Sequence, residues 1–146
     1  MDMMEILPFI TWFGVVAIAL GVGMGTMLWA YRGKGTPKVL FTDAVLMSPS
    51  LRKSNMASTF HYGYDAFQAE NYSAALTAFN DVIREIPDSA EALHNRGLVL
   101  ANLGKDNESV RDLVLATELY IERDNGTAIG LIRQQIETLK NRDEGE

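Results

Sequence analysis

The chain contains no cysteine. Disulfides, thiolate nucleophiles, thiolate metal sites and lipidation on cysteine are all excluded. Histidine is scarce, with only His61 and His94 in 146 residues. No convergent set of catalytic groups accompanies them, so no cofactor, metal or small-molecule substrate is expected and the chain does not read as an enzyme. His61 and Asp65 stand one helical turn apart and offer too few ligands for a metal site. Charge is missing altogether from Ile6 to Tyr31. Those 26 residues exceed the roughly 20 that a helix needs to cross a bilayer.

What charge there is lies unevenly. The net value is −6. Residues 32–53 hold Arg32, Lys34, Lys38, Arg52 and Lys53 against Asp43 alone, whereas residues 54–146 are strongly acidic. An acidic domain argues against nucleic acid as a partner. A basic collar beside a span suits anionic lipid headgroups and also sets topology.

Several details support a span. Trp12 stands near the start of the apolar stretch, with Trp29 and Tyr31 at its end, as in interfacial aromatic belts. Pro8 falls in the first turn, where its missing N–H costs little. The acidic N-terminus, with Asp2 and Glu5, and the length of the run are unlike a cleaved signal peptide. With basic residues after the span, the N-terminus is expected outside and the C-terminal domain on the cytoplasmic or stromal side. Gly21 and Gly25, extended by Ala17, form a small-residue face through which two membrane helices approach closely. Gly33-Lys34-Gly35-Thr36 resembles part of a phosphate loop, but lacks its full spacing and a preceding strand.

Beyond the collar the sequence repeats with a period of 34. When 56–89 is laid over 90–123, Gly63 falls on Gly97, Ala75 on Ser109, Phe79 on Leu113 and Val82 on Ala116. Tyr72 and Pro87 in the first copy, Leu103-Gly104 in the second, and the stretch Ala92-Leu-His-Asn-Arg-Gly97 complete the pattern. On these residues the chain resembles the tetratricopeptide-repeat (TPR) family over 56–123. Thr59 and Leu93 stand where that family often has tryptophan. Asp106 replaces an aromatic of the turn, and Ile121 replaces a proline, so the last repeat helix is expected to run on. Pro87 should end one helix, with Asp88 or Ser89 capping the next.

The expected architecture is all-α. A transmembrane anchor (1–31) and a basic linker (32–55) precede two repeats (56–89 and 90–123). A capping helix (124–141), carried by Ile129, Ile132, Ile136 and Leu139, and a disordered tail (142–146) follow. Val39–Met47 is an apolar stretch ended by Ser48-Pro49-Ser50. It is either a short helix packing on the first repeat or a segment lying on the membrane.

The resemblance implies a concave face, lined by the first helix of each repeat, that binds a peptide or helix of another protein. By repeat position that face should show Phe60, Tyr64, Phe67 and Gln68, then Glu91, His94, Asn95, Leu98 and Asn102. Aromatics would pack on an apolar partner, and Asn95 would hydrogen-bond its backbone. The chaperone-tail version of such a groove needs Lys and Asn where Phe60 and Tyr64 stand, so that ligand is not expected. The architecture is also similar to thylakoid TPR factors for photosystem assembly. This implies a membrane-tethered adaptor in the assembly or stabilisation of a membrane protein complex. A receptor for targeting peptides and a cell-envelope scaffold are the competing expectations.

Overall fold

The computed structural model describes residues 38–143, and every regular element there is helical. The expected span, with Ala17, Gly21 and Gly25, lies outside these residues. Among the described residues no helix is long and apolar enough to cross a membrane.

Six helices follow in order: α1 (Pro49–Arg52), α2 (Ala57–Gln68), α3 (Tyr72–Glu85), α4 (Ala90–Asn102), α5 (Asp106–Glu122) and α6 (Gly126–Asp143). Local sequence sets their limits. Asn71, Ser89 and Asn125 each place a side-chain oxygen on a free N–H of the following helix, at Ala74, Ala92 and Ala128. Helices α2, α4 and α5 all end in the same way. A residue with positive φ (Glu70, Gly104, Asp124) turns the chain. The next amide then reaches back to the carbonyl of Ala66, Leu100 or Tyr120. Only Gly104 is a glycine, so Glu70 and Asp124 hold a backbone shape that L side chains resist. Helix α3 instead stops before Pro87, which cannot continue it. Helix α5 has no such proline and runs to Glu122.

Short turns make each helix from α3 onward pack against the one before it, and α2 also touches α4. The hairpins close tightly because two glycines permit it. A Cβ added at Gly63 would stand 3.0 Å from Phe79, and one at Gly97 would stand 3.0 Å from Leu113. Both distances are shorter than ordinary van der Waals contact. At the second crossing Ser109 also donates a 2.7 Å hydrogen bond to the Gly97 carbonyl.

Helix α4 is the centre of the unit, and Arg96 is the one residue of it that is not buried. Arg96 grips the buried Asp112 of α5 through two nitrogens and Asn80 of α3 through a third, tying three helices together. Arg123 bridges Glu91 and the Asp88 carbonyl, closing the other end of α4. The C-terminal helix continues past 141, where a disordered tail was expected. Arg142 explains this: it forms a two-pronged pair with Asp106 and donates to the carbonyl of Ala101. An Arg–carboxylate fork is geometrically specific, and it pins the last turn of α6 to the turn between α4 and α5.

Candidate functional site

The residues expected to line an open face do not form one. Phe60, Phe67 and Leu98 are core residues. Phe60 packs edge-to-face on Phe79 with centroids 5.4 Å apart, and Phe67 does the same on Tyr72 at 5.6 Å. In α2 the four groove candidates fall on two faces, with Phe60 and Phe67 inward, Tyr64 half-buried and Gln68 exposed. Gln68 donates to the Tyr64 hydroxyl. The expectation of free aromatics therefore fails for Phe60 and Phe67, because the α2–α3 interface takes them.

Asn95 and Asn102 are also buried, at 0% and 2% exposure, yet each is hydrogen-bonded through both its oxygen and its nitrogen. What covers them is the chain itself. The Asn102 side-chain oxygen accepts from the backbone N–H of Leu40 at 2.9 Å and of Phe41 at 3.0 Å. Its amide nitrogen donates to the Phe41 carbonyl at 2.7 Å. Asn95 repeats the arrangement four residues further along the segment, accepting from Val45 N–H at 2.6 Å and donating to Val45 C=O at 2.9 Å. An asparagine side chain is an amide, so each clamp imitates a strand neighbour with one acceptor and one donor.

The segment from Lys38 to Ser48 has no regular secondary structure, so the short helix expected over Val39–Met47 does not form. It lies as a strap on the unit. Leu40, Phe41, Ala44 and Met47 are half-buried against the core, and Thr42, Asp43 and Leu46 point away. Its first residue is fastened as well, since Arg142 reaches the Lys38 carbonyl. Beyond its far end, Ser48 caps α1, whose Leu51 enters the core. A cleft of about 290 Å³ remains between strap and α2, lined by Leu46, Met47, Arg52, Phe60, His61 and Tyr64.

The two histidines have separate surroundings. His61 is exposed and faces Asp65 at 3.5 Å. His94 is completely buried under α6, with Nε2 2.7 Å from the Gln135 side-chain oxygen and its ring edge-on to Tyr120. Its Nδ1 and the Tyr120 hydroxyl have no hydrogen-bond partner. Burial disfavours the imidazolium and pulls the His94 pKa down to about 4. Burial first, and the Glu91 carboxylate second, push the Tyr120 phenol above its ordinary range. His94 is thus a neutral packing group beneath α6 and is closed to a partner. Glu91 is likewise occupied, by Arg123. Among the described residues no group of three or more His, Asp or Glu side chains is placed to hold a metal.

Residue-by-residue reading missed the strap and Gln135. One signal was present in the sequence: Asn95 and Asn102 are seven residues apart, two turns on one helix face, so their amides fall in line. No protein-family model matches the chain, no curated protein matches it, and no solved structure matches it.

Proposed function

We propose that this chain is a membrane-tethered adaptor of the tetratricopeptide-repeat kind. It takes a segment of a protein partner at the cytoplasmic or stromal membrane face and serves the assembly or stabilisation of a membrane protein complex. The charge-free run over 6–31 and the basic collar support the tether. The 34-residue period and the two glycine crossings support the repeat reading.

The observation that carries the binding role is the pair of side-chain amides on α4. Two buried asparagines each satisfy both an N–H and a C=O of a chain that has no regular structure of its own. A face made for packing alone would present apolar groups there, because an unpaired buried amide is costly. Asn95 and Asn102 suit the recognition of peptide backbone, which is independent of the partner's side chains.

The test is affinity capture of the full-length chain from its own membranes in mild detergent, wild type beside Asn95→Ala/Asn102→Ala. A membrane-complex subunit recovered with the wild type and lost from the double variant is the expected result. Identical recoveries would remove the groove as the binding site. Protease added to right-side-out vesicles should spare the domain, and digestion there would reverse the assigned topology.

A further inference from the structure

We propose that the strap over residues 38–47 is a built-in competitor for the partner site, and that the partner is an extended, near-neutral peptide that displaces it. This deepens the adaptor reading and rests on it. The strap shows which chemistry the groove accepts, because every contact a partner would make is already made within the chain.

Geometry fixes the ligand's conformation. Asn95 and Asn102 are seven residues apart on α4, about 10.5 Å along the helix axis. The strap spans the same gap with the four steps from Phe41 to Val45. Those four steps cover about 13 Å when fully extended and only about 6 Å when helical. Across four residues only a nearly extended chain reaches both amides, and a helix, whose interior N–H and C=O groups are already paired with each other, has none to offer these clamps. The strap runs antiparallel to α4, with its earlier residues at Asn102 and its later ones at Asn95.

The side chains fix a pattern. Residues 40, 41, 44 and 47 face the helices as Leu, Phe, Ala and Met, and residues 42, 43 and 46 face outward. A competing peptide therefore carries two adjacent large apolar residues, a small one three positions on, and another large one three positions after that. The acidic balance of residues 54–146 disfavours an acidic peptide at the same place.

The strap is also suited to leave. Among the described residues, its stretch from Lys38 to Met47 makes no backbone–backbone hydrogen bond. Its backbone is fastened by five hydrogen bonds to the two asparagines and one long contact from Arg142. Its inward side chains are only half-buried. Segments with few buried contacts open independently of the core. A partner then binds only the open fraction, and its apparent affinity falls by that fraction.

The test uses the full-length chain in mild detergent and a fluorescent synthetic peptide of residues 37–48 as probe. Leu40→Ser/Phe41→Ser loosens the strap without touching α4. This chain should bind the probe at least tenfold more tightly than wild type, and Asn95→Ala/Asn102→Ala added to it should abolish the gain. Equal binding by wild type and loosened chain overturns the competitor while leaving the groove as a peptide site. No binding by either chain overturns the groove reading itself. A wild-type dimer that the probe dissociates would seat the strap in a second copy and replace the partner peptide. Should the loosened chain lose helicity by circular dichroism, Val45→Pro decides. It removes the N–H that Asn95 accepts at 2.6 Å and leaves every core side chain in place. This chain must also bind the probe more tightly than wild type; wild-type binding by it overturns the proposal.

Discussion

Replacing single glycines by alanine should separate helix crossings from helix surface by sign. Alanine is favoured over glycine in a helix interior by about 1 kcal/mol, so a site with free space should gain stability. Gly130 in α6 is such a site: nothing lies within 4 Å of a Cβ built there. Gly97 is the opposite. Its Cβ would meet both Cγ and Cδ2 of Leu113 at 3.0 Å and the Ser109 carbonyl oxygen at 3.3 Å. Leu113 is wholly buried and Ser109 presents backbone, so neither yields cheaply. Overpacking of this kind costs about 1–3 kcal/mol, which outweighs the propensity gain and leaves a net loss on the order of 1 kcal/mol. Gly63 should behave like Gly97, because Phe79 and Ala78 stand at 3.0 and 3.1 Å from its added carbon. The predicted gap between Gly97→Ala and Gly130→Ala is thus about 2 kcal/mol, or roughly 8–16 °C in midpoint for a unit of this size. Thermal unfolding of the full-length chain in mild detergent, followed by far-ultraviolet circular dichroism, reads it. If Gly97→Ala melted at or above Gly130→Ala, α4 and α5 would not cross where the geometry places them.

Three further outcomes follow from other parts of the unit. His94 holds its folded-state pKa near 4 against about 6.5 when unfolded, so the unfolded chain takes up the proton first as pH falls. Its contribution is intact above pH 6.5 and drains away towards pH 4, by about 3 kcal/mol in all; His94→Gln should flatten that part of the pH profile in urea titrations. Glu70→Gly and Asp124→Gly relieve positive φ at two helix ends and should each stabilise the unit by roughly 0.5–1 kcal/mol, read as a higher urea midpoint. Phe60→Ala removes a core ring and should cost about 3–5 kcal/mol in the same titrations, which makes it a stability variant and not a probe of binding.

Much of the helical layout was legible because it depends on local chemistry and a strict period. The helix-crossing glycines, Pro87, the Ser89 cap and the extension of α5 past Ile121 all follow from single residues acting on nearby backbone. The candidate site was legible only in part. The 34-residue period set Asn95 and Asn102 on one face of α4, the face on which the strap lies. It could not say that Phe60 and Phe67 turn inward, since on α2 that depends on whether Phe79 and Tyr72 supply rings to meet them. The strap was hidden for a different reason. An apolar stretch with no period of two or 3.6 carries no preferred structure, and its shape is dictated by two amides some fifty to sixty residues away. The ordering of Arg142 is hidden for the same cause, because its partner Asp106 is 36 residues away in sequence.

Amide hydrogen exchange at Leu40, Phe41 and Val45 tests most directly whether α4 holds a peptide backbone. The account predicts slowed exchange at all three in the full-length chain. Asn102→Ala should release Leu40 and Phe41 to the rate of an unstructured peptide, while Val45 keeps more of its protection through Asn95. The helices should remain protected in both proteins. Free exchange at all three amides in the wild type would contradict the account, because the two asparagines would then be holding nothing.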